Sequence, residues 1–241
     1  MSNNNTLICS IYCLEQIGHY ELSFGTMKSM ITLLTIFLIG CSGTRVDRQY
    51  TQEEIDYFVE IALGAEFGDI VPVIKKWEDD VRIKINGIPT EEDLLAVNSV
   101  VNDLNELVED VRIKVVNRDE NITITFSPES EFSDIDANYV PTNYGFFWAL
   151  WHDDNYVIYN ASILIASAAI TQPERSHLIR EELTQSLGLM NDSEKYEDSI
   201  FYQKWTSINN FSNLDKAVIS LLYQKNIRAG MSRKQLLDVL N

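Results

Sequence analysis

Glu181 and Glu182 stand side by side in the segment Glu181-Glu182-Leu183-Thr184-Gln185-Ser186-Leu187-Gly188-Leu189-Met190-Asn191-Asp192. Adjacent helical residues point about 100° apart, so neighbouring carboxylates need not share a proton. Buried together in a cleft, at least one would have a raised pKa; facing water, the two would be only a charged helix. His177 lies four residues before Glu181 and Gln185 four residues after it, so the three form one polar stripe. Ile179, Leu183 and Leu187 fall away from that stripe. A His and a Glu at this spacing can ligate a metal ion, with Glu182 beside them. They can also simply hydrogen-bond each other, and a lone histidine is a weak metal signal.

The elements that must position these groups are legible in the pattern. The stretch from about Pro173 to Leu187 reads as a helix stopped by Gly188. Upstream, Thr51-Gln52-Glu53-Glu54 is a capping box opening a helix with Ile55, Phe58, Val59 and Ala62 on one face. The run from Gly68 to Pro72 breaks it. Asp80 to Gly87 alternates apolar and polar, as a half-buried strand does. Pro89-Thr90-Glu91-Glu92 starts a second helix, with Leu94, Val97, Val101, Leu104 and Val108 spaced three and four apart. Two more strands are expected at Val111–Val116 and Asn121–Phe126. A polar loop from about Ser127 to Asn143 follows, carrying Glu129, Glu131, Asp134 and Asp136.

Phe146–Trp151 and Tyr156–Ile165 read as a strand pair turning at Asp153-Asp154-Asn155. Among their aromatics, Phe146, Phe147, Trp148 and Trp151 fill the core or line a groove. His152 reads as structural or surface. Leu214–Lys225 and Ser232–Leu240 have helical patterns. The expected fold class is α+β: one domain around a mixed sheet, with a long motif-bearing helix and a helical C-terminal part.

The segment from Glu181 resembles the long zinc motif of the metzincin peptidases, H-E-x-x-H-x-x-G-x-x-H. Glu181, Gln185 and Asn191 stand at the three ligand positions, Glu182 at the general-base position and Gly188 at the turn that lets the chain reverse. Asp192 follows directly. Ser199-Ile200-Phe201-Tyr202 looks like the Met-turn of those enzymes, with Phe201 in place of Met. Leu214 to Tyr223 is similar to their closing helix, and the resemblance runs over about residues 80–225. It implies a zincin-like sheet and a site in which Glu182 deprotonates a metal-bound water. The chain also resembles a family of secreted bacterial proteins sharing the pattern E-E-x-T-Q-x-x-G-L. Zinc favours imidazole nitrogen and thiolate sulfur, whereas Glu181, Gln185 and Asn191 offer mainly oxygens. Such a set suits a harder divalent cation if it suits any, and no cofactor is otherwise indicated.

Met27-Lys28-Ser29-Met30 followed by an apolar run to Gly40-Cys41 has the three parts of a secretory signal. The run is too short to span a bilayer, which takes about 20 residues. Leu38-Ile39-Gly40-Cys41 looks like a bacterial lipobox, whose cysteine is lipidated and becomes the first residue of the mature chain. Residues 1–26 fit no signal pattern, and translation is expected to begin at Met27. The expected division is therefore an upstream segment 1–26, a signal peptide 27–40, a lipidated tether 41–50 and one domain 51–241. By resemblance to Gram-negative lipoproteins, Ser42 after the cysteine favours the outer membrane. After processing only Cys41 remains, so no disulfide or thiolate metal site is available. The net charge of −17 repels phosphate backbones, which argues against nucleic acid as a partner.

The leading functional expectation is a lipid-anchored envelope protein whose zincin-like domain binds a polypeptide or envelope partner without cutting it. An edge strand that pairs with extended peptide can outlive a metal site. Two alternatives stand beside it: an active metallopeptidase with a non-standard site around Glu182, and a purely structural lipoprotein.

Overall fold

Short polar caps set where the helices begin. The Thr51 hydroxyl accepts the Glu54 N–H at 3.2 Å, and Glu54 takes the Thr51 N–H at 2.9 Å, opening α1 (Gln52–Leu63). Thr90 and Asp93 make the same reciprocal pair, at 3.1 and 2.8 Å, to open α2 (Glu91–Leu107). Each satisfies N–H groups that a helix start would otherwise leave bare, at a typical gain of about 1 kcal/mol. The computed structural model describes residues 49–64 and 71–240. The expected signal segment, Cys41 and Gly68 lie outside the described residues.

Six strands follow in the sequence: β1 (Lys76–Trp77), β2 (Val81–Gly87), β3 (Ile113–Val115), β4 (Ile122–Ser127), β5 (Gly145–Trp151) and β6 (Val157–Ala166). They form one sheet in which β3, β2, β4 and β6 are successive parallel neighbours. β1 pairs in parallel with the start of β6, Lys76 opposite Val157. β5 pairs antiparallel with β6, Phe147 opposite Ile163, and turns into it through Asp153-Asp154-Asn155 as expected. The sheet is mixed, and the fold is α+β. The two-residue β1 carries too short a pattern to be seen in sequence.

Period-two alternation sorts the strand residues between two faces. Val81, Ile83, Ile113, Ile122, Ile124, Phe126, Ala161 and Ile163 are buried on the inner face. Each large aliphatic removed from water there stabilises by roughly 1.5–3 kcal/mol. Lys84, Thr123 and Thr125 alternate with them, and Lys84 pairs with Glu120 at 3.1 Å. α4 (Gln172–Gln185) packs on β5 and β6 and α2 on β3, with α2 against α4 and α1 against α5 (Asn213–Leu222). The chain closes with α6 (Arg233–Leu240), whose Leu236 is buried.

Two expectations need correction. Leu94 is exposed, and Val100 takes the buried place instead, because packing against α4 sets the phase of α2. The segment 127–143 is not a plain loop: it holds a 3₁₀ turn at Glu129–Glu131 and the short α3 (Phe132–Ile135). Phe132, Tyr139, Phe146 and Leu164 form a second, smaller core there. The Tyr139 phenol donates to Glu129 and to the Asn143 carbonyl at 3.0 Å. Burial, followed by the Glu129 carboxylate, pushes that phenol up to about 12.

The far end of α4 is pinned to β1. Trp77 is fully buried and donates its indole N–H to the Ser186 carbonyl at 3.0 Å. Gly188 turns the chain with φ +117, where a β-carbon would collide with the Lys75 carbonyl. Next to it, the buried Lys76 ammonium donates to the Leu222 and Ile227 carbonyls at 2.9 and 3.1 Å. A cation there complements the negative end of α5. Burial draws that ammonium down to about 8.

Candidate functional site

α4 is a helix whose sequence is polar on the side that meets the edge of the sheet. Leu178, Ile179 and Leu183 enter the core, while His177, Glu181, Glu182 and Gln185 line a cavity of about 220 Å3. The opposite wall is the start of β5 and the residues before it, Thr142 to Phe147. Asp192 and the segment Tyr202–Thr206 complete it. Glu182 is only 7% exposed and the Glu181 side chain 12%, so the carboxylates are not the solvated face of a charged helix.

His177 is held at both nitrogens. Its Nδ1 lies 2.8 Å from the Ile208 carbonyl, which can only accept, so Nδ1 carries a proton. Its Nε2 lies 3.3 Å from Glu181 Oε2, an ion pair when the ring carries a proton on both nitrogens. Burial pulls the imidazole down, but the Glu181 hydrogen bond and charge and the Ile208 carbonyl together lift it above the ordinary histidine value. A ring that donates on both sides has no lone pair for a metal ion. Of the two fates open to His177 in the sequence, the geometry is that of the hydrogen-bonded pair.

The resemblance implies that Glu181, Gln185 and Asn191 converge, with Asn191 brought back toward Gln185 after the turn at Gly188; the structure does not bring Asn191 there. The Gln185 amide donates to Asp192 Oδ1 at 2.6 Å, so Asp192 is the residue brought back to the helix. Asn191 is turned away: its amide donates to the Asp192 carbonyl at 2.8 Å, and its side chain leans over Gly64 at the end of α1. Past Gly188 the chain is no longer helical, and one step along it changes which side chain faces the cavity. Glu182 presses against the edge strand, and a β-carbon on Gly145 would collide with its Oε1 and stand 2.9 Å from Leu178 Cδ2. Among the described residues, no three His, Cys, Asp or Glu side chains are placed to hold one metal ion.

The turn Ser199–Tyr202 is built from beneath. Asp215 is fully buried and accepts from the Ser199 hydroxyl at 2.6 Å, the Ile200 N–H at 3.1 Å and the Ser212 N–H at 2.8 Å. Tyr57 joins through its hydroxyl, 2.8 Å from Ser199 Oγ. Desolvation raises the Asp215 carboxyl, against the pull of these donors. Phe201 is buried behind the site, edge-on to Tyr57, and its carbonyl accepts the Ser193 N–H at 2.8 Å. Tyr202 reaches the cavity.

Several members of the site carry no motif. Tyr144 and Trp205 meet edge to face at 5.8 Å on the cavity wall, and Trp205 donates to Glu174 at 2.7 Å. Phe147 lines the cavity, whereas Trp148 is exposed and Phe146, although it touches the wall, belongs to the smaller core. Asp93, buried at the head of α2, fixes the head of α4 by accepting from Gln172 at 2.8 Å and Arg175 at 3.2 Å. The signals for Asp93 and Asp215 were the capping patterns Thr90-x-x-Asp93 and Ser212-x-x-Asp215. Trp205 had none.

A search of the curated proteins finds no match to the chain. Among solved structures, it is similar to a crystal structure of myroilysin, at 11% identity and a TM-score of 0.41, covering 63% of this chain and 86% of that one. A second myroilysin structure is similar at 12% identity and 0.39, covering 63% and 83%. Metalloproteinase-II from Bacteroides fragilis is similar at 12% identity and 0.36, covering 71% of this chain and 61% of that one. Residues 51–241 match the profile of a family described as a protein of unknown function, DUF2927, and the chain belongs to that family.

Proposed function

We propose that this is a zincin-like domain whose metal-ligand positions have been given to other interactions, and that it binds an extended polypeptide at the cell envelope without cleaving it. The observation that carries this reading is the position of β5. Among the described residues it pairs on one side only, with β6, and its start forms one wall of the cavity opposite α4. An unpaired strand edge offers backbone donors and acceptors to an incoming strand, and an adjoining cavity reads one of its side chains.

The donor chemistry argues against zinc in this cavity. Glu181 is engaged by His177, the Gln185 amide by Asp192, and Asn191 points elsewhere. Without a metal to polarise water, Glu182 lacks the substrate that a general base needs for hydrolysis. Its contact with Gly145 instead supports a role in shaping the wall behind the strand edge. Anchoring through Cys41 rests on the lipobox-like Leu38-Ile39-Gly40-Cys41. No helix among the described residues is long and apolar enough to cross a membrane.

The test is metal content and peptide hydrolysis for wild type and Glu182→Gln, with peptide binding measured in parallel. The expected outcome is no stoichiometric metal, no hydrolysis in either protein, and binding of extended peptides. A bound metal together with hydrolysis lost in Glu182→Gln establishes the peptidase reading instead. Replacing Cys41 by Ala is expected to abolish lipid labelling and leave unprocessed precursor; labelling that survives removes the anchor.

A further inference from the structure

The misfit with zinc says what the cavity is suited to hold. Its wall carries three carboxylates, those of Glu181, Glu182 and Asp192, with Lys204 and His177 beside them. These carboxylates are spread around the wall and not gathered on one point, since among the described residues no three acidic or imidazole groups are placed to hold one metal ion. A point charge such as a divalent cation therefore finds no shell here, whereas a planar guanidinium presents five donors in a fork and can reach oxygens that stand apart. Independently of charge, Tyr144, Phe147 and Trp205 supply aromatic surface to the same wall. Aromatic faces attract cations and stack well on guanidinium. At the rim the chain's own Lys204 ammonium already lies 5.8 Å from the centre of the Tyr202 ring. At about 220 Å3 the space is below the size of a drug-like ligand site and takes one side chain.

We infer that the cavity receives an arginine side chain carried by the polypeptide that pairs with β5. This deepens the strand-binding reading and rests on it. The guanidinium shares Glu181 with His177 and Asp192 with Gln185, since one carboxylate accepts several hydrogen bonds, and lies with its stem against the aromatic wall while the backbone on either side extends the sheet.

The experiment uses the full chain and acetylated, amidated peptides of Thr and Val matching the seven residues of β5, with one central position varied. The probes are arginine, its uncharged near-isostere citrulline, lysine and leucine, and binding is followed by calorimetry. The arginine peptide is expected to bind about 10-fold to 100-fold more tightly than the citrulline peptide, the ratio that follows from losing a charge-assisted hydrogen bond. Asp192→Asn and Glu181→Gln, checked for folding by thermal melting, are expected to bring that ratio toward one. The wild-type comparison stands alone if either variant fails to fold. Equal binding of arginine and citrulline overturns the arginine assignment while leaving strand binding intact. Binding of no peptide overturns both. Stoichiometric uptake of zinc from zinc chloride, displacing the arginine peptide, also overturns the assignment.

Discussion

At one margin of the sheet β3 is three residues long and bracketed by charge: Arg112 precedes it, Lys114 lies within it, and Asp80 accepts the Arg112 N–H at 3.0 Å and faces the Lys114 ammonium at 3.7 Å. At the other margin β5 runs for seven residues, Gly-Phe-Phe-Trp-Ala-Leu-Trp, with no charged side chain, and leaves Trp148 and Leu150 exposed. Edge strands are normally kept short, charged or covered because a bare edge recruits other chains. The β3 margin follows that rule and the β5 margin breaks it. The margin that breaks it is the one beside α4. An edge left long and uncharged on one margin and shortened and charged on the other is what the proposed strand binding at β5 requires.

The largest expected effect comes from filling the contact between β5 and α4. In Gly145→Val the new side chain drives into Glu182 and Leu178, and overpacking of this kind costs about 1–3 kcal/mol. The urea midpoint should fall and peptide binding should go with it. Val115→Thr at the exposed β3 margin should stay within about 0.5 kcal/mol of wild type. Equal midpoints for the two variants would mean that the margins do not differ in this way.

A smaller effect is expected from importing the β3 device into β5. Trp148→Lys places a charge on the exposed face of the open edge, and peptide affinity should drop about tenfold with a smaller shift in urea midpoint than Gly145→Val gives. Unchanged affinity would show that peptide does not pair at β5.

The smallest effect is one of pH, behind β5 and absent from the β3 margin. Because the folded His177 value lies above the ordinary histidine value, the His177–Glu181 pair stabilises fully below about pH 6.5 and loses that contribution as pH rises through the folded value. The stability difference between wild type and His177→Gln should therefore be larger at pH 5.5 than at pH 8.5. The opposite slope would mean that the imidazole is held neutral.

What the sequence carried best was periodic. The helix starts at Thr51 and Thr90, the alternating strands and the turn at Asp153-Asp154-Asn155 all follow from local rules, and so does the stripe of His177, Glu181 and Gln185 on α4. What it carried poorly lay beyond such repeats. Whether Asn191 or Asp192 faces Gln185 depends on a non-helical path after Gly188, where no period fixes direction. The phase that buries Val100 and exposes Leu94 is decided by α4, far away in sequence. Trp205 joins the cavity only because a long connection folds back onto the head of α4, where Glu174 holds its indole.

The lean of Asn191 over Gly64 ties the two positions together. A β-carbon on Gly64 would already stand 2.5 Å from Asn191 Cγ, so any larger residue at 64 requires the side chain at 191 to move or shrink. An imidazole at 191 would meet the end of α1 and not the cavity, and an imidazole at 185 would forfeit the bond to Asp192. Three histidines introduced at 181, 185 and 191 are expected not to bring zinc to the protein, which metal analysis of the triple variant checks. Each would first cost a contact present in this fold: the His177–Glu181 pair, the Gln185–Asp192 hydrogen bond or the fit of Asn191 over Gly64.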